Sequence, residues 1–298
     1  MSTVFDTEAE PQAVVAPTSH KLPAARRTPS SYVVLAVLTV LVLLVLAPFL
    51  IVVLNAFKAP SDFAAHGPLG WPLSLHIKTV VNFWNSSDFG GKLLNSFEIS
   101  FSVAVLGVLV SLFNAYALGI GRVRGRTAFL VFFLLANVLP QEGLVYPLYY
   151  MAKEVGLYDS KWAIVIIFTV VQSAFGTYLL SSVYAAFPRE LLEAASIDGA
   201  GSWRTLWRVV VPVSMPTLTV LFTFFFIWTW NEFLLPLIFL VSNDHQTVPV
   251  ALAQLQGQHT TDITGTAASS LLGILPAIVF FLIFQRTLTR GVAVGAVK

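Results

Sequence analysis

The 298-residue chain has no cysteine, which excludes disulfides, thiolate metal sites and cysteine nucleophiles. Charge is scarce too. Only 11% of the residues are Asp, Glu, Lys or Arg, and 56% are hydrophobic. A soluble domain carries about 25% charged residues. So little charge cannot cover a water-facing surface, and the chain is predicted to be a polytopic membrane protein. A net charge of +2 offers no field for holding nucleic acid. Its basic residues cluster beside apolar runs, where membrane orientation accounts for them. The five histidines, His20, His66, His76, His245 and His259, are scattered and have no metal-ligand spacing. Gly90-Gly91-Lys92 lacks the upstream Gly of a phosphate loop and continues with Leu93 instead of Ser or Thr. No Gly-x-Ser-x-Gly elbow and no His-Glu-x-x-His zinc motif occurs. The prediction is therefore no enzyme, no metal and no cofactor bound by this chain.

What the sequence has is long apolar runs. Residues 1 to about 30 are rich in Ala, Pro, Ser and Thr and read as a disordered tail. The run that follows is too long and too late for a secretory signal. A bilayer span needs about 20 residues. Six spans are predicted on that basis: Tyr32–Leu54, Leu94–Leu118, Thr127–Tyr149, Trp162–Tyr184, Val213–Leu240 and Ala268–Phe284. The third, fifth and sixth contain Pro140, Pro236 and Pro276. The expected fold is all-α, with one membrane domain from residue 31 to 298. With the N-terminus inside, the inner segments hold twelve of the seventeen Lys and Arg residues. The outer segments hold Lys58, Lys78, Lys92, Lys153 and Lys161. This asymmetry predicts that both termini are cytoplasmic. Three outer segments result, of which the one from Ser242 to about Thr266 carries no Lys or Arg. It reads as a solvated connector or a contact for an extracellular partner.

Between the fourth and fifth spans lies a charged island, from Phe187 to Arg208, ahead of Val209-Val210-Val211-Pro212. Pro188 suits the first position of a helix. Glu190 and Glu193 would lie near its positive end. Gly199-Ala200-Gly201 predicts a stop and a tight turn, and Ser202 can cap a second helix. Trp203, Leu206, Trp207 and Val210 fall at i, i+3, i+4 and i+7, one apolar stripe. The expectation is a cytoplasmic helix–turn–helix. Physics alone also allows an amphipathic loop resting on lipid headgroups.

The spacing adds to this. Glu193-Ala194-Ala195, three residues, Gly199, nine residues and Val209-x-Val211-Pro212 resemble the EAA loop of ABC-importer permeases. Val209 and Val211 stand where that family usually has Ile and Leu. Further stretches are similar to the sugar-importing, maltose-transporter-type branch. They include Asn55-Ala56-Phe57-Lys58, Leu139-Pro140 with Tyr146-Pro147-Leu148-Tyr149, Trp230-Asn231-Glu232-Phe233, and the C-terminal Gly295-Ala296-Val297-Lys298. The resemblance runs from about residue 30 to the end and favours the six-span subunit of a permease pair. It implies that the island is a coupling helix, with Glu193, Ala194, Ala195, Asp198 and Gly199 facing a cytoplasmic ATPase. It implies a second permease subunit, an ABC ATPase dimer holding ATP and Mg, an extracytoplasmic solute-binding protein, a sugar substrate and a bacterial inner (plasma) membrane. A permease for another solute, such as a peptide or polyamine, shares the same loop. A secondary transporter is the alternative from another class, and would call for internal repeats of broken helices with ion-binding carboxylates; no such repeat is visible.

Ionisable groups within spans are expensive and mark candidate sites. They are Glu98, Glu142 and Glu232, with Asn114, Asn137, Gln141, Gln172 and Asn231 as polar companions; of these, Gln141, Glu142, Asn231 and Glu232 are the candidates for an aqueous sugar pathway, with Trp228 and Trp230 as ring faces. The competing reading is that they join helices or contact the partner permease.

Overall fold

The structure is a computed structural model and describes residues 29–121, 123–258 and 262–296. Most of the predicted tail, together with Arg122 and His259, lies outside the described residues. The chain divides into two compact units, Met1–Pro48 and Phe49–Lys298. Helix α1 (Pro29–Ala56) starts in the first and has no charged residue. In the second unit, α2 (Pro60–His66) and α3 (Lys78–Ser86) are short, and α4 (Phe89–Ala115) ends in a π turn, Tyr116–Ile120. Next come α5 (Arg126–Val138), α6 (Gln141–Glu154), α7 (Lys161–Ala185) and α8 (Arg189–Ile197). Helix α9 (Ser202–Thr205) passes through a second π turn, Leu206–Val210, into α10 (Val211–Trp230). The order closes with α11 (Leu234–Phe239), α12 (Val248–Gln258) and α13 (Ile263–Ala296). No strand occurs among the described residues.

Among the described residues, five helical stretches are long and apolar enough to span a membrane, and α5 with α6 makes a sixth if the bent pair counts as one. That agrees with six predicted spans, but two of them are shaped differently. The third is bent by 96° at Leu139-Pro140. Pro140 has no N–H to donate, and Leu139 before it is extended, at φ −67° and ψ 126°. The fifth was expected to run from Val213 to Leu240. Its helix instead starts at Ser202 and stops at Trp230. Pro212 does not separate a surface helix from the span, because the π turn stands just before it and the Val211 N–H bonds the Leu206 carbonyl. The wider turn gives the proline ring room against the preceding carbonyls.

Helix α4 packs on α7 and α10 to form the centre of this unit. At one end the core gathers Leu112, Ala115, Tyr184, Phe187, Leu206 and Val210. At the other it gathers Ile99, Val103, Ile164, Phe168, Leu235 and Phe239. In lipid, helix association relies on close packing more than on the hydrophobic effect. Gly176 shows how close. A Cβ there would stand 2.2 Å from Ser111 Oγ and 2.9 Å from Phe225 Cζ, so α7 approaches both neighbours only with glycine. Ser111 Oγ donates to the Gly107 carbonyl at 2.6 Å, and Asn114 Nδ2 donates to Thr177 Oγ1 at 3.3 Å.

Candidate functional site: a surface helix and a cavity at two helix breaks

Helix α8 fills the connection between α7 and α10. Pro188 caps it from outside, at φ −57° and ψ 120°, one residue earlier than the sequence suggested. Glu190 lies in its first turn. Leu192 and Ala195 turn inward, and Leu192 packs on the core. Glu193, Ala194, Asp198 and Gly199 are exposed. This separates two alanines expected to act together: Ala194 is available to another protein, whereas Ala195, at 7% exposure, faces this chain. Ile197 is 86% exposed, an apolar side chain standing among charges on the outward face.

The stop is built by hydrogen bonds. Ala200 N donates to the Ala195 carbonyl at 2.9 Å and Gly199 N donates to the Ser196 carbonyl at 3.1 Å. This pair is the Schellman arrangement, which needs a left-handed residue after the last turn. Gly199 supplies it with φ +72°. Ser202 does not cap the next helix through its side chain. Thr205, buried there, donates from Oγ1 to the Gly201 carbonyl at 3.2 Å. Tyr116 OH donates to the Ser202 carbonyl at 3.1 Å, and the Phe113 ring stacks on Trp203 with centroids 6.0 Å apart. The expected apolar stripe divides. Leu206 and Val210 enter the core, while Trp203 and Trp207 are exposed and rest against Phe113. The π turn lengthens one turn and breaks the 3.6-residue register that the stripe assumed. Helix α8 is thus held against the π turn before α10 through Leu192 and Ala195, while the segment from Ser202 rests on the end of α4.

The second feature is a cavity of about 310 Å³, bounded by α5, α6, α7 and α10. Both helix breaks meet there. Asn137 and Gln141 flank the Leu139-Pro140 bend, and Asn231 and Glu232 form the break between α10 and α11. Irregular backbone at membrane depth survives where protein buries it or where it lines a water-filled space. Asn231 Nδ2 donates to the Ile227 carbonyl and Asn137 Nδ2 to the Phe133 carbonyl, both at 2.8 Å. Glu232 Oε1 accepts from Leu234 N at 3.2 Å, taking up a donor at the start of α11. Gln172 Nε2 donates to Thr229 Oγ1 at 2.9 Å. Its Oε1 is buried and has no hydrogen-bond partner among the described residues. An unpaired buried amide oxygen costs about 1–3 kcal/mol unless something polar reaches it. Phe168, Phe175 and Trp228 complete the wall with rings.

The structure brings Gln141, Asn231 and Glu232 to one cavity. Glu142 is exposed, in the first turn of α6, and does not line it. Trp230, expected as a ring face for sugar, is a core residue stacked on Phe226 at 5.8 Å. Phe168, Val171, Phe175 and Ile227 were missed, because an apolar residue in an apolar run carries no mark of facing a cavity. At the far end, the turn before α12 is tied down: Lys92 Nζ donates to the Asn243 carbonyl at 2.6 Å and Asn95 Nδ2 to the Gln246 carbonyl at 3.0 Å. No cluster of side chains suited to a metal occurs among the described residues.

Membrane-length helices, two of them broken at a shared polar cavity, and an exposed surface helix between α7 and α10 define a polytopic membrane subunit. The chain belongs to the family of binding-protein-dependent transport system inner membrane components, which matches residues 105–294. It is a multi-pass membrane protein and an ABC-importer permease subunit, a transport component and not an enzyme. It is 32% identical over 254 residues to the probable ABC transporter permease protein YurM of Bacillus subtilis, covering 84% of this chain and 83% of that one. It is 33% identical to the sn-glycerol-3-phosphate transport system permease protein UgpE of Yersinia pestis, covering 84% and 91%. It is 29% identical to the diacetylchitobiose uptake system permease protein DasC of Streptomyces coelicolor, covering 82% and 88%. In fold it matches a chain from the crystal structure of a bacterial ABC transporter that imports the acidic polysaccharide alginate. The TM-score is 0.72, at 20% identity, over 89% of this chain and 99% of that one.

Proposed function

We propose that this subunit forms half of the transmembrane pathway for a sugar. A solute-binding protein delivers the sugar from outside, a second permease subunit supplies the other half, and a cytoplasmic ATPase dimer holds ATP and Mg. The Lys and Arg distribution supports cytoplasmic termini and a cytoplasmic α8 in a bacterial inner membrane. Glu193, Ala194, Asp198 and Gly199 form the ATPase-facing surface. Ala195 lets α8 lie close to its own core. Because α8 is the connection between α7 and α10, a displacement imposed on it by the ATPase reaches two of the four helices that wall the cavity. The cavity then opens to one side of the membrane or the other.

One observation carries the pathway assignment: both breaks, at Leu139-Pro140 and at Asn231–Phe233, open on the same amide-lined space. Amide groups pair with sugar hydroxyls as donor and acceptor at once. The Trp228 and Phe175 rings, with centroids 5.1 Å apart, offer apolar faces to ring C–H groups. Uptake in cells carrying Asn231→Ala, with assembly and basal hydrolysis measured in the purified complex, tests the assignment. Uptake is expected to fall by at least severalfold while assembly and basal hydrolysis stay near normal. Loss of assembly instead would make Asn231 a helix-joining residue and remove it from the pathway.

A further inference from the structure

We infer that the cavity selects by charge, and that the substrate this subunit passes is an uncharged, hydroxyl-rich sugar and not a phosphorylated or uronic one. The inference rests on the pathway reading above and adds the substrate class to it. Among the described residues, none that lines the cavity is Lys, Arg or His, and the only ionisable one is Glu232. The remaining polar groups are the amides of Asn137, Gln141, Gln172 and Asn231.

A broken helix ordinarily offers its positive N-terminal end to an anionic substrate. Here a carboxylate of the chain itself stands beside the break, since Glu232 lines the cavity and its Oε1 accepts the Leu234 N–H. A phosphate or carboxylate entering the cavity would meet the Glu232 carboxylate where it needs a cation. A neutral sugar would meet the amides of Asn137, Gln141 and Asn231, whose groups pair with hydroxyls.

The absence of cysteine supplies a direct test. A single cysteine at Val171, on the cavity wall, would be the only thiol in this chain. The assembled importer carrying Val171→Cys is treated with three methanethiosulfonates of similar size, bearing trimethylammonium, hydroxyl or sulfonate. Each rate is divided by the rate of the same reagent with a free thiol in water. The ratios then report the local field, because thiolate fraction and access scale all three alike. One nearby carboxylate in a partly desolvated site is expected to slow the sulfonate on the order of tenfold relative to the hydroxyl reagent and to speed the ammonium one. Glu232→Gln is expected to remove most of that difference. Ile227→Cys, also on the wall, serves as a second position if Val171→Cys fails to assemble. Equal corrected rates for sulfonate and hydroxyl overturn charge selection and leave a water-filled pathway standing. Failure of every reagent at both positions, in a complex that still transports, overturns the pathway reading and the inference with it.

Discussion

Gly199 gives the sharpest quantitative test of the surface helix. Its φ of +72° is a conformation that costs an L-residue about 1–2 kcal/mol. A Cβ built there meets no atom within 4 Å, so the penalty comes from the backbone alone and no neighbour can relax to relieve it. Gly201, two residues on, also has open space around its Cβ, but its φ is −69°. The pair separates conformation from bulk within one turn. Gly199→Val forces a β-branched residue into the left-handed region or unwinds the Schellman turn and tilts α8. If that turn sets the angle at which α8 meets the ATPase, docking should weaken by about 1–2 kcal/mol, or about 5- to 30-fold. Gly199→Asn should cost less, because asparagine tolerates this region better. Gly201→Ala should change affinity by no more than about 0.5 kcal/mol. The assay is titration of the ATPase onto the permease pair held in nanodiscs. Wild-type affinity in Gly199→Val, or equal losses in Gly199→Val and Gly201→Ala, would refute the reasoning. Thr205 is no neutral control, because it is buried and bonded to the turn.

Three further outcomes follow. Gly176→Val should lower the thermal stability of the detergent-solubilised complex by the equivalent of about 1–3 kcal/mol or more, since it drives a side chain into Ser111 and Phe225. Gly90→Ala, whose nearest neighbour would be Trp84 at 3.6 Å, should leave melting unchanged, and equal melting of the two variants would show that the α4–α7 contact is looser than described. Asp159 accepts from Ser242 Oγ and, at 3.0 Å, from Ser242 N, and these two bonds, with the His245 ring nearby at 3.5 Å, hold its carboxyl below the usual aspartate range. A depressed value stabilises the charged, folded form above the ordinary pKa of about 3.9 and loses that contribution as pH falls through the lower folded value. Amide-exchange protection of Ser242–Gln246 should therefore hold from pH 8 to 5, fall only below about 3.9, and be reduced at neutral pH by Asp159→Asn; a loss already at pH 6 would contradict this.

Much of this architecture was legible because long apolar runs dictate membrane helices whatever their neighbours do. Tyr32–Leu54, Leu94–Leu118, Trp162–Tyr184 and Ala268–Phe284 each fall largely within one continuous helix. Pro140 marked a break because it lacks an N–H, but the 96° of bend depends on packing that no local rule encodes. The fifth span misled for a related reason. Pro236 drew attention as a breaker, yet it lies inside α11 and is buried. The break comes earlier, at Asn231–Phe233, where the Glu232 side chain takes the Leu234 N–H that a continuous helix would have paired. The π turns at Tyr116–Ile120 and Leu206–Val210 left no trace in hydrophobic spacing, so the Trp203 and Trp207 face came out rotated. Motif spacing marked Glu193, Ala194 and Gly199 as candidates, and only the fold shows that they are exposed while Ala195 is buried. The meeting of Gln141 with Asn231, some ninety residues apart, needed the fold.

The central claim is that α8 is the surface on which a cytoplasmic ATPase drives this subunit. The most direct measurement places a photo-crosslinking side chain at Ala194, exposed on the outward face of α8, in the assembled importer. The control position is Gly90, in the first turn of α4 at the opposite end of the helices. The expected result is an adduct with the ATPase from Ala194, strongest when ATP closes the ATPase dimer, and none from Gly90. No ATPase adduct from Ala194 in a complex that still hydrolyses ATP, or an equal yield from Gly90, would contradict the account.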